Sequence, residues 1–277
     1  MLLPLPIVER CMMQSNSYGQ LCINDLKSSF AGWRVWYTLA VNDVKRRYRR
    51  SRLGQFWLTL SMALTIGGLG LVYSVLFKMN VAEYLPYISV TFVFWAIISS
   101  GIIESCSAFI ESEGLILHTT IPRATPVLRV QLRLWLIALH NFAIIPVVFL
   151  VFQFPVNWNL LWLIPGLALV AANILWIGYF LAIVSARFRD VPQIVASIMQ
   201  IAFFITPIMF RPTQLGHNGL VLMLNPFAYL LEIVRDPLLG TTPNALAFVV
   251  CAIMAVVGCL LILPFAGRYA PRVVYWL

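Results

Sequence analysis

Along most of the chain, apolar residues run in unbroken stretches instead of alternating with polar ones. Six stretches approach or reach the length of a membrane crossing: 56–77, 85–110, 130–154, 160–186, 194–210 and 245–266. A helix needs about 20 mostly apolar residues to cross a bilayer core. Continuous runs without period-two alternation predict helices, not the strands of a closed barrel. The predicted fold class is an all-α integral membrane protein with six transmembrane helices. An N-terminal amphipathic interface helix and short re-entrant helices before the last span complete it.

The segments around these runs divide the chain further. Residues 1–28 are polar and irregular, with Pro4, Pro6, Ser15, Asn16 and Gly19, and are predicted to be a flexible cytoplasmic tail. In 29–55, Trp33, Tyr37, Ala40, Val41, Val44 and Tyr48 recur at helical spacing, while Arg34, Asn42, Lys45, Arg46 and Arg49 fall largely opposite. That pattern predicts an amphipathic helix in the interface, followed by a basic linker. It serves either as a topology anchor or in a more specific role. The remainder, 56–277, is the six-helix domain. Between Arg211 and Ala245, Asn225-Pro226 and Asp236-Pro237 break the chain into apolar pieces too short to span. Two short helices dipping into the outer leaflet fit this pattern if protein or a water-filled cavity satisfies their ends; a surface loop is the alternative.

Composition and charge agree with a lipid-embedded chain and orient it. Of 277 residues, 61% are hydrophobic and only 10% charged, against about 25% charged in soluble domains. Six spans place both termini on one side, and that side carries 16 of the 19 Lys and Arg residues. The positive-inside rule makes it cytoplasmic. The net charge of +9 is therefore mainly a topology signal. Nucleic acid is not an expected partner, because the basic residues border apolar spans. With no cysteine in the outer segments, no structural disulfide is expected.

The chemistry is sparse. No Gly-Lys pair occurs, which excludes a Walker A phosphate loop in this chain. His118, His140 and His217 lie in different segments without metal-ligand spacing, and no catalytic motif is present; no catalytic or metal site is predicted. Glu104 and Arg133 lie near the same end of adjacent spans and are expected to pair, structurally more than as a proton relay. His140 reads as a hydrogen-bonded packing residue. Ala63 and Gly67 give a small-x-x-x-small spacing suited to helix contact. Trp57, Tyr73, Tyr84, Tyr87, Trp158 and Trp162, near span ends, read as interfacial belts. The deeper Phe92, Phe94, Trp95, Phe203 and Phe204 suit core or lipid packing, or an aromatic-lined passage.

Several motifs, in this order and spacing, resemble the transmembrane subunit of type-2 ABC exporters, in particular the polysaccharide and O-antigen export permeases. They are the run from Lys45 through Arg46, Arg47, Arg49, Arg50 and Arg52 to Gly54-Gln55-Phe56-Trp57; Ile121-Pro122-Arg123; and Phe188-Arg189-Asp190-Val191-Pro192-Gln193. Thr206-Pro207-Ile208 and Leu224-Asn225-Pro226-Phe227 complete the set. The resemblance covers Trp33 to the C-terminus; the tail is longer than such proteins usually need. It implies a homodimer in the bacterial inner membrane, joined to two ATP-binding cassette subunits that handle ATP and Mg, with no cofactor in this chain. The implied cargo is a lipid-linked glycan, for example on undecaprenyl diphosphate. A capsule, teichoic-acid or drug exporter is the alternative within the class. An ion-coupled secondary transporter or a membrane enzyme lies outside it; the first lacks midplane carboxylates and the second a polar catalytic cluster.

This reading assigns provisional roles. Arg46, Arg47, Arg49, Arg50 and Arg52 are expected to meet lipid head groups or the carrier's diphosphate. Glu111, Glu113, Leu115, Leu117, His118 and Arg123, with Arg187, Arg189 and Asp190, are expected to couple to the ATPase. The outer gate is expected at Asn225, Pro226, Phe227, Glu232, Arg235 and Asp236, with Glu232 and Arg235 paired on one helical face.

Overall fold

A computed structural model describes residues 7–48, 56–212, 214 and 220–277. Every regular element in them is helical: α1 (Ile7–Ala31), α2 (Trp33–Tyr48), α3 (Phe56–Leu76), α4 (Val81–Cys106), α5 (Ala108–Glu111), α6 (Glu113–His118), α7 (Thr125–Phe142) and α8 (Ile144–Val151). There follow α9 (Leu163–Arg187), α10 (Val191–Ile205), α11 (Leu220–Met223), α12 (Pro226–Leu238) and α13 (Ala245–Tyr269), with short 3-10 turns before α9 and after α13.

Among the described residues, five helical stretches are long and apolar enough to cross a membrane: α3, α4, α7 continued by α8, α9 with its leading turn, and α13 with its trailing turn. Asparagines start three helices: the side chains of Asn80, Asn225 and Asn244 accept the backbone N–H two residues on, at the starts of α4, α12 and α13. The α7–α8 break at Ala143 precedes Pro146, which has no N–H to give Phe142 and whose ring crowds that carbonyl.

Two expectations are corrected. The stretch read as a flexible tail, 1–28, is helical from Ile7 and packs along α13. The two helices come close at Gly267, where any β-carbon would collide with the Tyr18 carbonyl. The fifth run, 194–210, is not one spanning helix. α10 has 15 residues, about 22 Å of helix, short of a hydrocarbon core of about 30 Å.

The non-helical stretch after α10 shows why the helix can stop there. Irregular backbone at membrane depth is tolerated only where protein satisfies it, and α4 does so with three side chains on one face. Tyr87 donates to the Pro207 and Phe210 carbonyls at 3.0 and 2.8 Å. Tyr84 donates to Met209 at 2.5 Å and Thr91 to Ile208 at 3.0 Å. Tyr84 and Tyr87 are thus fully or nearly fully buried donors, not interfacial belts.

α4 is the central helix: 72% of its apolar window is buried, against 17% for α3. Asn173, fully buried on α9, ties that helix to α13 by donating to the Cys251 carbonyl at 3.1 Å and accepts the indole N–H of Trp176 at 3.0 Å. Close helix approach falls at glycines, as membrane packing without a strong hydrophobic drive requires. Gly101 faces Ile174, and a β-carbon on Gly166 would lie 2.6 Å from the Ile233 carbonyl. Gly67 and Ala63 instead line an open apolar groove of about 430 Å³ between α3 and α8, so their spacing makes no contact at Gly67 within this chain.

Gly166→Ala is expected to lower stability by about 1–3 kcal/mol, because backbone and not a flexible side chain blocks the new methyl. Gly67→Ala, which meets nothing within 4 Å, is expected to leave the melting temperature in detergent unchanged. Equal melting temperatures for the two variants would remove the Gly166 contact from this account.

Candidate functional site

The charged side chains gather at two levels of α4, around Tyr87 and around Glu104, about 26 Å apart along the axis at roughly 1.5 Å per residue. At the Glu104 level, α7 presents Arg129 and Arg133, one turn apart. Arg129 grips Asp43 of α2 with both prongs of its fork, Nε to Oδ2 at 2.6 Å and Nη2 to Oδ1 at 2.7 Å. Arg133 donates to Glu104 at 2.9 Å and to Glu111 at 3.0 Å, and lies 3.8 Å from Asp43. Arg47 approaches Glu104 at 3.8 Å. The expected Glu104–Arg133 pair is therefore one link of a network joining α2, α4, α5 and α7.

This network redefines the face that α2 turns inward. Ala40 and Val44 are buried as the pattern predicts, but Trp33 and Tyr37 are about half exposed. Asp43 takes an inward position beside Ala40 and Val44, because α7 offers it arginines, and the exposed Arg47 reaches toward Glu104 of α4. Apolar periodicity alone misses Asp43; its spacing from Ala40 and Arg47 was the available signal.

Beyond the network lies the segment joining α4 to α7. It folds as two short helices, α5 and α6, broken at the buried Ser112. Ile116 is buried and seats α6, Leu115 is half-buried, and Leu117 and His118 are exposed. Leu117, His118 and Arg123 share a polar cavity of about 600 Å³ with Asp25 of α1 and Val274 near the chain end. Asp25 closes it: its two carboxylate oxygens accept the backbone N–H groups of Arg123 and Ala124 at 2.7 and 2.8 Å, at the start of α7. A carboxylate at a helix N-terminus satisfies unpaired donors and the helix dipole together. Nearby Cys22 is buried, and burial, with Asp25 adding, pushes its thiol up to about 11, so it stays protonated and unreactive at neutral pH.

The other residues of the expected coupling set are distributed around this segment. Glu113 is half-buried, whereas the Glu111 carboxylate is engaged by Arg133. Arg187, Arg189 and Asp190 are exposed at the end of α9, and Arg187 lies over the Trp276 ring at 5.8 Å. The C-terminal turn thus lies beside both groups. Among the expected head-group contacts, Arg46 and Arg47 are exposed; Arg49, Arg50 and Arg52 lie outside the described residues. The Nδ1–H of His140 donates to the Leu136 carbonyl, 2.8 Å away, consistent with a packing role.

At the other level of α4, Asn225 is buried and donates to the Thr206 hydroxyl at 2.9 Å while capping α12. Pro226 opens that helix, and Phe227 meets Trp95 edge-on at 5.9 Å. Arg235 does not pair with Glu232. Its Nε donates to Asp236 at 2.8 Å, and its guanidinium turns toward the Tyr87 ring. Facing α4 across a buried contact outweighs the one-turn spacing, which pays off only on an exposed helix face. Among the described residues no group of His, Cys, Asp or Glu side chains is placed to hold a metal ion.

A double-mutant cycle on Asp43→Asn and Arg129→Gln tests the network. Each single change leaves a half-buried partner short of its ion and is expected to cost about 3 kcal/mol of stability, whereas the double change costs less than the sum by more than about 1 kcal/mol. Strict additivity would make the pair incidental. For the Asp25 clamp, Asp25→Ala is expected to speed amide hydrogen exchange at Arg123 and Ala124 at least about tenfold; unchanged exchange there would refute the clamp.

Residues 34–239 match the ABC-2 type transporter family. The chain is also similar to the O-antigen export system permease protein RfbA of Myxococcus xanthus, at 25% identity over 201 residues, which is 70% of this chain and 76% of that protein. The matched segment runs from the interface helix through α12 and contains every charged pair of the inner network. The chain belongs to the ABC-2 type transporter family.

Proposed function

We propose that this protein is the membrane permease of an ATP-driven exporter that moves a lipid-linked polysaccharide, of the O-antigen type, out across the bacterial inner membrane. The observation that carries the reading is the exposed edge of α6: Leu117, 47% exposed, and His118 on a segment held between two long helices. Family membership and the similarity to an O-antigen export permease support it. Two copies form the conduit, two ATP-binding cassette subunits dock on the cytoplasmic side, and ATP with Mg is consumed there. Both termini are cytoplasmic in this reading, matching the bias of basic residues to one side.

The mechanism follows from how forces travel. A push on α6 reaches α4 and α7 directly, because Arg133 and Glu111 lock the segment to both. α4 carries the displacement to the stretch 207–210 and to α12, which with α11 enters the outer leaflet as a re-entrant pair and closes the passage when no cargo is present. Binding and hydrolysis in the partner bias the permease between closed and open states. At the cytoplasmic entrance, Arg47 lines a cavity of about 170 Å³ in which Ser100, Glu104 and Asn141 stand among mostly apolar residues such as Leu58, Met62 and Leu134, and the exposed Arg46 and Arg47 receive the carrier diphosphate at its mouth.

The test is purification with an ATP-binding cassette subunit and measurement of hydrolysis stimulated by an undecaprenyl-diphosphate-linked glycan. Leu117→Asp is expected to reduce subunit retention by at least about tenfold, as for a buried anchor in an interface, with insertion unchanged. Full retention and stimulation in the variant would move the docking surface to Arg187, Arg189 and Asp190. Absence of any retained ATPase with the unaltered chain would overturn the reading.

A further inference from the structure

At the end of α4 remote from the coupling segment lies a cavity of about 420 Å³ lined by Glu83, Tyr87, Arg211, Arg235, Asp236 and Thr241, among others. Two guanidiniums share one ring in it: those of Arg211 and Arg235 lie 5.6 and 5.8 Å from the centre of Tyr87. Arg235 is 5% exposed, and its Nη1 is buried without a hydrogen-bond partner among the described residues. Asp236 occupies Nε of the same group at 2.8 Å. Arg211 has a looser hold: its Nη2 donates to the Glu83 backbone carbonyl at 3.3 Å, and the Glu83 carboxylate, on a side chain 66% exposed, is 3.9 Å from it.

We infer that this cavity is a binding site for a phosphate oxyanion, held between Arg211 and Arg235 against the face of Tyr87. A buried guanidinium with an unused N–H is costly to leave so. Phosphate oxygens are the acceptors whose geometry suits the arginine fork. The ring holds both cations in place by cation–π attraction without consuming their N–H groups. Asp236 supplies the single carboxylate that keeps Arg235 stable when the site is empty. Glu83, mostly in water and only loosely paired, is the group an incoming phosphate displaces. The site is independent of the coupling surface and of the identity of the cargo. Its phosphate is either a free ion or the head group of an anionic lipid at the same depth.

The experiment uses the full chain in detergent and in vesicles of phosphatidylglycerol with phosphatidylcholine. In detergent, inorganic phosphate is titrated and read as a rise in melting temperature. From vesicles, co-purifying phosphatidylglycerol is counted by native mass spectrometry. Arg211→Gln is the principal variant, because Arg235 is too buried to replace without risk to folding, and Glu83→Gln is its opposite. Arg211→Gln is expected to weaken binding at least about tenfold, the loss of one charge-assisted contact, and Glu83→Gln to strengthen it. Response to inorganic phosphate assigns a free ion, and selective retention of phosphatidylglycerol alone assigns a lipid head group. No binding of either by the unaltered chain, or equal binding by Arg211→Gln, overturns the site.

Discussion

A peptide carbonyl facing hydrocarbon has no partner, and four consecutive ones, from Pro207 to Phe210, are what the rest of this molecule is arranged around. Their satisfaction requires Tyr84, Tyr87 and Thr91 to project from one side of α4, which fixes how that helix is rotated. With α4 so placed, Thr206 is free to receive Asn225, Asn225 starts α12, and α12 delivers Arg235 over the ring of Tyr87. Tyr87 accordingly has two uses, its hydroxyl for the chain after α10 and its ring for the arginines. Replacing it with phenylalanine would separate them, since the ring stays while two carbonyls lose their donor.

The opposite end of α4 obeys a different constraint. There the side chains, not the backbone, need partners, and each cation answers to carboxylates from other helices. An ion pair at this depth contributes little net stability over a well-packed apolar core, but a missing partner is expensive. The network therefore acts as a register mark: α2, α5 and α7 have one placement in which no charge is stranded.

Much of this could be read from the chain. The apolar runs locate four of the spans, Phe56–Leu76, Val81–Cys106, Thr125–Val151 and Ala245–Tyr275, to within a few residues at the start, and the fifth, Trp158–Arg187, closely. The Glu104–Arg133 pair was legible because two ions in apolar surroundings have few alternatives. What could not be read shares one cause: the deciding partner lies far along the chain. Asp25 looks like any polar residue until Arg123 and Ala124, nearly a hundred positions later, present bare N–H groups. Tyr84 and Tyr87 have the spacing of a belt and become donors only because the fifth run loses its helix at Thr206, ahead of Pro207. Arg235 prefers Asp236 and a ring on α4 to the glutamate one turn away for the same reason.

The seat of α1 has a consequence for how the protein is made. Tyr18 rests on Gly267, and Asp25 on the start of α7, so a helix synthesised among the first has no complete surface to rest on until nearly the whole chain has left the ribosome. During synthesis its apolar side, with Cys22 and Leu26, must wait in water or on the membrane surface while successive spans insert. Docking of α1 then closes only if α7 and α13 have reached their places, which makes α1 a check on the insertion of α13.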